Sequence, residues 1–351
     1  LRLQTPMKKI LFPIILVLAV ASVPAAAQVP AAPEFTLKTN GYFSFDAVQG
    51  PGSISKAAWS LQNIRGGLIF SGALTSGMTF TLEPTLVPGA ALDLTQAWVG
   101  IAFSQAVAVK AGLFLVPFGK YNLNRRPYEI TLITDPDSIG IVFPENWREI
   151  GVEGEAKFGS FNLAVFAGNG LAEAADFGSG QQFRDNNKNK ALGGRLGVVL
   201  GQSFEVGGSY YRGKADAANE RAIQMLGADA IYLTESIRAT GEYVKTTIAN
   251  PAPYSRGMAE GWFGLVEIKW GQWTPAVSYR HYKVDDPFHG AGFGGVDVPG
   301  EGLSGGGSRW ALGASYAVAT NLCLKAEFDR RRAVDVTKWT STLQFQMAVH
   351  F

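Results

Sequence analysis

Over the last nine residues of the chain every second position is apolar: Leu343, Phe345, Met347, Val349 and Phe351 alternate with Gln344, Gln346, Ala348 and His350. A period of two puts successive side chains on opposite faces of an extended strand, so this segment has one greasy face and one small or polar face. The same pattern recurs upstream. Leu322, Leu324, Ala326 and Phe328 alternate with Cys323, Lys325, Glu327 and Asp329, and Trp310, Leu312, Ala314 and Tyr316 with Arg309, Ala311, Gly313 and Ser315. Trp273, Pro275, Val277 and Tyr279 stand against Thr274, Ala276, Ser278 and Arg280, and Ile150, Val152, Gly154 and Ala156 against Glu149, Gly151, Glu153 and Glu155. Charges keep to one face.

Segments of this kind fall at 34–47, 60–73, 78–86, 91–103, 106–116, 148–158, 160–169, 190–200, 203–213, 221–233, 236–248, 258–270, 272–284, 308–318, 321–331 and 340–351. The interior of a small closed barrel cannot hold the apolar side chains of so many strands. The faces are therefore inverted, with apolar residues turned to lipid and polar residues turned inward to water. In hydrocarbon every unpaired backbone N–H or C=O is costly, so a strand-rich chain spans a membrane only as a closed sheet. The expected fold is all-β: a closed antiparallel transmembrane barrel of about 16 strands, an even number as in bacterial outer membranes.

The connections support that topology. Short turns near Thr75-Ser76-Gly77, Ser104-Gln105, Gly159, Gly201-Gln202, Gly271 and Asn321 alternate with longer polar or Gly/Pro-rich loops. Short periplasmic turns, long external loops and both ends of the sheet on the periplasmic side are the expected arrangement. A strand of ~10 residues rising ~3.3 Å each and tilted ~45° covers about 24 Å, close to the ~25 Å apolar band. Tyr210, Tyr232, Tyr243, Trp262, Trp270, Trp273, Tyr279, Trp310 and Tyr316 are placed to form interfacial girdles.

At the front, Met7, Lys8 and Lys9 precede an apolar run from Ile10 to Val23, then Ala25-Ala26-Ala27 before Gln28. This reads as a cleavable signal peptide over 1–27, with 1–6 an over-extended start, leaving 28–351 as the barrel domain. The run is shorter than the ~20 residues of a spanning helix, and no later apolar stretch approaches that length. Arg2, Lys8 and Lys9 leave with the leader, so 28 bases face 29 acids in the remainder. That balance argues against a nucleic-acid partner. With 42 glycines, 17% charged residues and only Cys323, the chain must be held by sheet closure and not by an internal disulfide.

The longest connection runs from 117 to 147 and reads PFGKYNLNRRPYEITLITDPDSIGIVFPENW. Its Ile130, Leu132, Ile133, Ile139, Ile141, Val142 and Phe143 need a surface to bury against, which folding into the lumen supplies. The stretches GLFLVPFGKYN at 112–122 and PENWREIG at 144–151, and Asn169-Gly170 leading to DNNKNK at 185–190, resemble the phosphate-selective porin O and P family of outer-membrane channels. The resemblance spans nearly the whole 28–351 region in layout, but only these motifs in sequence. It implies a sixteen-strand, trimeric channel with the 117–147 loop as an eyelet. The family's ladder of inward arginines and its lysine cluster have no counterpart placed here.

Alternation assigns Lys38, Arg65, Lys110, Lys157, Arg195, Arg238, Lys269, Arg280 and Lys325 to the lumen wall as bases. The acids are Asp46, Glu83, Glu153, Glu155, Glu205, Asp229, Glu242, Glu267, Glu327 and Asp329. The 117–147 loop adds Lys120, Arg125 and Arg126 against Glu129, Asp135, Asp137 and Glu145. A mixed lining predicts a weakly selective channel for small hydrophilic solutes or ions, and no enzyme; a preference for phosphate-like anions is what the family resemblance would add. The alternative is a structural or receptor-like barrel with an occluded lumen. The sharper expectation is a constriction with Arg125, Arg126, Arg65 and Lys110 on one side and Asp135 and Asp137 on the other. Phe351 fits the C-terminal signal read by the outer-membrane assembly machinery. The remaining partners expected are the bilayer, lipopolysaccharide and two further copies of the chain.

Several motifs imitate other chemistry. Gly290 to Gly295 spells GxGxxG without the strand-then-helix context of a nucleotide site and reads as a flexible external loop. Asp185, Asn187 and Asn189 resemble half a calcium loop, but Lys190 stands where the tight-turn glycine belongs, so a solvated loop is expected. His281, His289 and His350 lack zinc-site spacing and are expected at the surface; no metal or cofactor is implied. A membrane-embedded hydrolase would need Ser and His together on the outer face, and His281 has no serine reading outward beside it in this pattern.

Overall fold

The structure is a computed structural model describing residues 35–50, 58–86, 92–136, 142–293, 305–333 and 337–351. The predicted leader lies outside these, as does Asp137. Sixteen antiparallel strands follow one another around the wall: β1 (Lys38–Gln49), β2 (Ser60–Thr75), β3 (Met78–Leu86), β4 (Leu92–Ala102), β5 (Val107–Leu115), β6 (Arg148–Phe158), β7 (Phe161–Gly168) and β8 (Ala191–Leu200). The second half comprises β9 (Phe204–Lys214), β10 (Ala222–Leu233), β11 (Ile237–Ile248), β12 (Gly257–Ile268), β13 (Trp273–Asp286), β14 (Gly306–Ala319), β15 (Leu322–Ala333) and β16 (Thr340–His350). Every expected strand is present; the largest displacement is at β1, which starts at Lys38.

The sheet closes where β1 pairs with β16, from Tyr42 opposite His350 to Gln49 opposite Leu343. Gly41 and Phe351 exchange backbone hydrogen bonds of 2.7 and 2.9 Å just beyond that register. Closure leaves no unpaired edge, the condition for a sheet in hydrocarbon. The inverted faces are plain in exposure: Leu61 is 77% and Leu312 62% exposed, while Asp46, Glu83 and Asp329 are fully buried. Cross-strand contacts tie the girdle together. Tyr279 lies 4.4 Å from Trp310 and 5.2 Å from Trp262 on one side of the band, and Trp273 lies 4.7 Å from Tyr316 on the other.

Local chemistry sets the irregularities. At the turns after β6 and β8, Gly159 and Gly201 adopt φ of +56° and +67° with open space around them, so backbone conformation and not packing demands glycine. Pro84 has no N–H to donate, and the β3–β4 register shifts between Glu83 and Pro84, so that Asp93 lies opposite Thr85. A second shift, between Ser44 and Asp46, accompanies Asn63 at φ +55°, whose amide donates to Asp46.

Candidate functional site

The loop joining β5 to β6 folds into the lumen, as its apolar content requires. Its two ends are stapled by Asn122, whose amide donates to the carbonyls of Val116 (3.0 Å) and Trp147 (2.8 Å) and accepts from the Trp147 N–H (2.8 Å). From there the loop crosses between opposite parts of the wall. Glu242 on β11 accepts from the backbone N–H of Lys120 and Tyr121 at 2.6 and 2.7 Å, and Lys120 pairs with Glu205 on β9 at 3.1 Å. Arg126 reaches β3, where Glu83 receives its Nε and Nη2 at 2.9 and 2.8 Å, while Glu129 takes Nη1 at 3.0 Å. The Pro127 carbonyl accepts from Lys325 on β15, Thr131 donates to Glu267 on β12, and Glu327 on β15 accepts from Ile133 and Thr134. Arg280 on β13 donates to the carbonyls of Thr134 and Asp135, and Thr246 on β11 to that of Val142.

Many charges expected to line an aqueous wall are therefore anchors for the loop. Others neutralise one another on the wall itself. Arg195 pairs with Asp229 and Glu205, Lys110 with Glu153 and Glu155, Arg309 with Asp329, and Arg238 lies 3.8 Å from Glu267. Lys110 also sits over the rings of Trp98 and Phe114, outside the cavity described below.

One part of the lumen is dry. Phe118 packs against Phe143 and Trp147 at 5.4 and 5.6 Å, and Trp147 against Tyr211 at 4.9 Å. This cluster continues over Phe166, Met225, Val244 and Phe263 on the inner wall and up to Phe177, Phe288 and Phe293 in the external loops. Phe293 belongs to the glycine-rich segment read as a flexible loop; its N–H bonds to the Ala174 carbonyl and its ring stacks on Phe177 at 4.9 Å. The aromatic ring, invisible to a motif count of glycines, is what docks it.

Away from that core a cavity of about 230 Å³ is lined by Tyr42, Arg65, Glu83, Thr85, Asp93, Thr95, Asn122, Arg125, Arg126, Asp135, Asn146 and Arg148. The expected opposition of Arg125 to Asp135 is corrected: Nη2 of Arg125 and Oδ2 of Asp135 are 2.6 Å apart, a pair on the same segment. Burial opposes ionisation of Asp135, but the charges of Arg125 and Arg65 and hydrogen bonds from Arg125 and Tyr121 outweigh it and hold its carboxyl below the ordinary carboxylate range. Burial, then the Asp135 charge, raise the Tyr121 phenol well above its usual value, so it remains a donor to Asp135 at 3.0 Å. Glu145 is exposed, and its charge acts on Arg125.

Arg65 forms no hydrogen bond or ion pair among the described residues, and Nε and Nη1 of Arg125 and Nε of Arg148 are buried without a partner. Arg148 and Asp93, paired at 2.8 Å, escaped the sequence reading. Alternation put Arg148 on the greasy face, but it is the first residue of β6, where the chain is already turning out of the lumenal loop. His350 is corrected too: it lies in the lumen, stacked on Tyr128 at 4.8 Å. His289 stacks on Tyr254 at 3.6 Å. On the outer face Ser308 does stand beside His281, with Oγ 3.0 Å from Nδ1, because the β13–β14 register aligns them. In the 185–190 loop Lys190 occupies Asp185, and no cluster of three or more His, Cys, Asp or Glu residues able to hold a metal exists among the described residues.

A closed sixteen-strand barrel with an apolar exterior and a loop folded into a polar lumen is the architecture of an outer-membrane pore protein. The sequence profile of the Gram-negative porin family matches residues 15–341, and the chain belongs to that family, an integral outer-membrane β-barrel channel. Solved structures are similar in fold. A loop L8 deletion mutant of OmpT, an outer membrane protein of Vibrio cholerae, aligns over 91% of this chain and 100% of that one with a TM-score of 0.63 at 10% identity. OmpF of Salmonella typhi, in complex with daunomycin, aligns over 90% and 97% with a TM-score of 0.63 at 11% identity. OprB of Pseudomonas putida at high pH aligns over 90% and 94% with a TM-score of 0.59 at 10% identity. No curated protein sequence matches the chain.

Proposed function

We propose that this porin is a weakly selective diffusion channel for small hydrophilic solutes with a preference for anions, phosphate-like ones included. The observation that carries the preference is the arginine set at the narrow cavity. Glu83, Asp93 and Asp135 are each already engaged by an arginine, whereas Arg65, half-buried at the cavity and without an ion pair among the described residues, is left to meet a passing anion. The motifs at 112–122 and 144–151 that resemble the phosphate-selective porin O and P family support the same reading, since they supply Asn122 and Arg148. Single-channel recording in planar bilayers tests it: ohmic steps and a reversal potential displaced toward the anion in a salt gradient are expected, and a cation-side potential overturns the preference.

The dry aromatic core favours a second reading, an occluded receptor-like barrel, which the same recording would reveal by the absence of steps. A homotrimer is supported by the lipid-side face of β2–β6. It carries Leu61, Leu68, Leu82, Val99, Ile101 and Val152, and within these strands no Trp or Tyr faces outward; the exposed Trp59, just before β2, packs on Phe345 of β16. A trimer form of Vibrio cholerae OmpT has the same fold, with a TM-score of 0.63 at 10% identity over 92% of this chain. Chemical cross-linking of the membrane-extracted protein tests it. The exposed Phe351, beside the β1–β16 closure, is proposed as the residue read by the assembly machinery, and the bilayer with its lipopolysaccharide as the lateral partner.

A further inference from the structure

The lipid-facing side of the barrel changes character at the external end of β12–β15. Register sets Trp262, His281, Ser308 and Arg332 abreast across these four strands. The row beneath holds Tyr279, Trp310 and Arg330, and the row beneath that begins the apolar band with Leu312 and Phe328. At ~4.8 Å between strands and ~6.8 Å between alternate residues, the upper rows form a patch roughly 15 Å wide and 7 Å tall. The patch begins where hydrocarbon contact ends.

Its charge is one-sided. The guanidinium carbons of Arg330 and Arg332 lie 5.4 and 5.0 Å from the centre of the Trp339 ring, which holds the two cations together. Neither arginine makes an ion pair with a carboxylate among the described residues. The outward carboxylates Glu260 and Asp285 are taken instead by Lys283 at 3.0 and 2.9 Å. Beside the arginines, Ser308 receives a hydrogen bond from Tyr279 (3.2 Å) and contacts His281. Two like charges gathered on one ring at the edge of a membrane repel one another unless an anion joins them. A planar guanidinium matches a phosphate through two parallel hydrogen bonds.

The geometry points to a binding site for the phosphate group of an outer-leaflet lipid. Arg330 and Arg332 clamp the phosphate, His281 and Ser308 offer polar contacts from the flank, and the acyl chains descend over Leu312 and Phe328. The occupant is a lipid and not a soluble anion because the cationic patch is continuous with the apolar band below it. This site rests on the lipopolysaccharide partnership proposed above and gives it a location, on a face removed from the aliphatic surface of β2–β6.

Native mass spectrometry of the full barrel released from detergent tests it, with bisphosphorylated lipid A, fully dephosphorylated lipid A and inorganic phosphate as probes. The intact protein should retain bisphosphorylated lipid A, and R330Q/R332Q should retain at least about tenfold less, the scale on which paired charge-assisted hydrogen bonds act. Dephosphorylated lipid A should bind the intact protein as weakly as the variant binds the phosphorylated form, and inorganic phosphate should not displace the lipid. Equal retention by both proteins, or equal retention of both lipids, overturns the site; displacement by inorganic phosphate replaces the lipid with a free anion. Should R330Q/R332Q fail to fold, W339A keeps both charges and should still weaken retention. Single-channel conductance should be the same in R330Q/R332Q and the intact protein. A silent channel that retains lipid A would therefore count against transport and leave this site standing.

Discussion

Arg126 of the lumenal loop closes a two-pronged ion pair on Glu83 of β3, Nε to Oε1 at 2.9 Å and Nη2 to Oε2 at 2.8 Å. Glu83 is fully buried and also receives Gln96 at 3.0 Å, so the pair pins the loop to the wall opposite its β11 anchor. Removing one partner leaves a buried charge, which costs about 3–5 kcal/mol. R126A should therefore lower the thermal midpoint of the folded barrel and enlarge the single-channel conductance. E83Q/R126Q should cost less than the two single changes summed, as a double-mutant cycle by heat-modifiability on gels would show.

Arg65 is the guanidinium at the cavity without an ion pair among the described residues, so R65Q should displace the reversal potential toward cations while lowering the folding midpoint far less than R125A, because Arg65 acts on Asp135 through its charge alone. R125A should instead disturb the fold, because it strands the Asp135 carboxylate. A reversal potential unmoved by R65Q would take Arg65 out of the permeation path.

The Arg125–Asp135 contact ties two parts of the lumenal loop together in a pH-dependent way. With the folded carboxyl held below its ordinary value, its contribution to loop anchoring is complete above the unfolded value of about 3.9 and fades as pH falls through the lower folded value. The part of the conductance change that depends on this contact should appear only below about pH 4. D135N should remove this low-pH step, measured by recording at stepped pH.

Gly119 adopts φ +64°, and a Cβ there would lie 2.6 Å from Oε2 of Glu242. G119A should thus push the loop off the carboxylate that accepts from Lys120 and Tyr121. Strain of about 1–3 kcal/mol is expected, seen as a lower midpoint and noisier channel openings.

Trp147 is fully buried, with Phe118, Phe143 and Tyr211 around it. W147A should cost about 3–5 kcal/mol and raise conductance by opening the dry part of the lumen. Denaturant titration and channel recording on the same refolded sample check both effects.

Much of this protein is settled by its sequence alone. Alternation within segments such as 322–329 and 343–351, with charges on one face, dictates strands that are greasy outside and polar inside, because side-chain direction follows directly from the extended backbone. The apolar residues of 117–147 likewise force that loop to find a surface. Only the tertiary structure decides what each inward charge does. Glu242, Arg280 and Glu327 read as pore lining yet serve as loop anchors, Arg148 changes face at a strand end, and Ser308 meets His281 across a hairpin. The reason is physical: period two states which face a residue occupies. Which partner it meets depends on the register of separate strands, on bulges such as that at Pro84, and on a loop whose path is set by closure of the whole barrel.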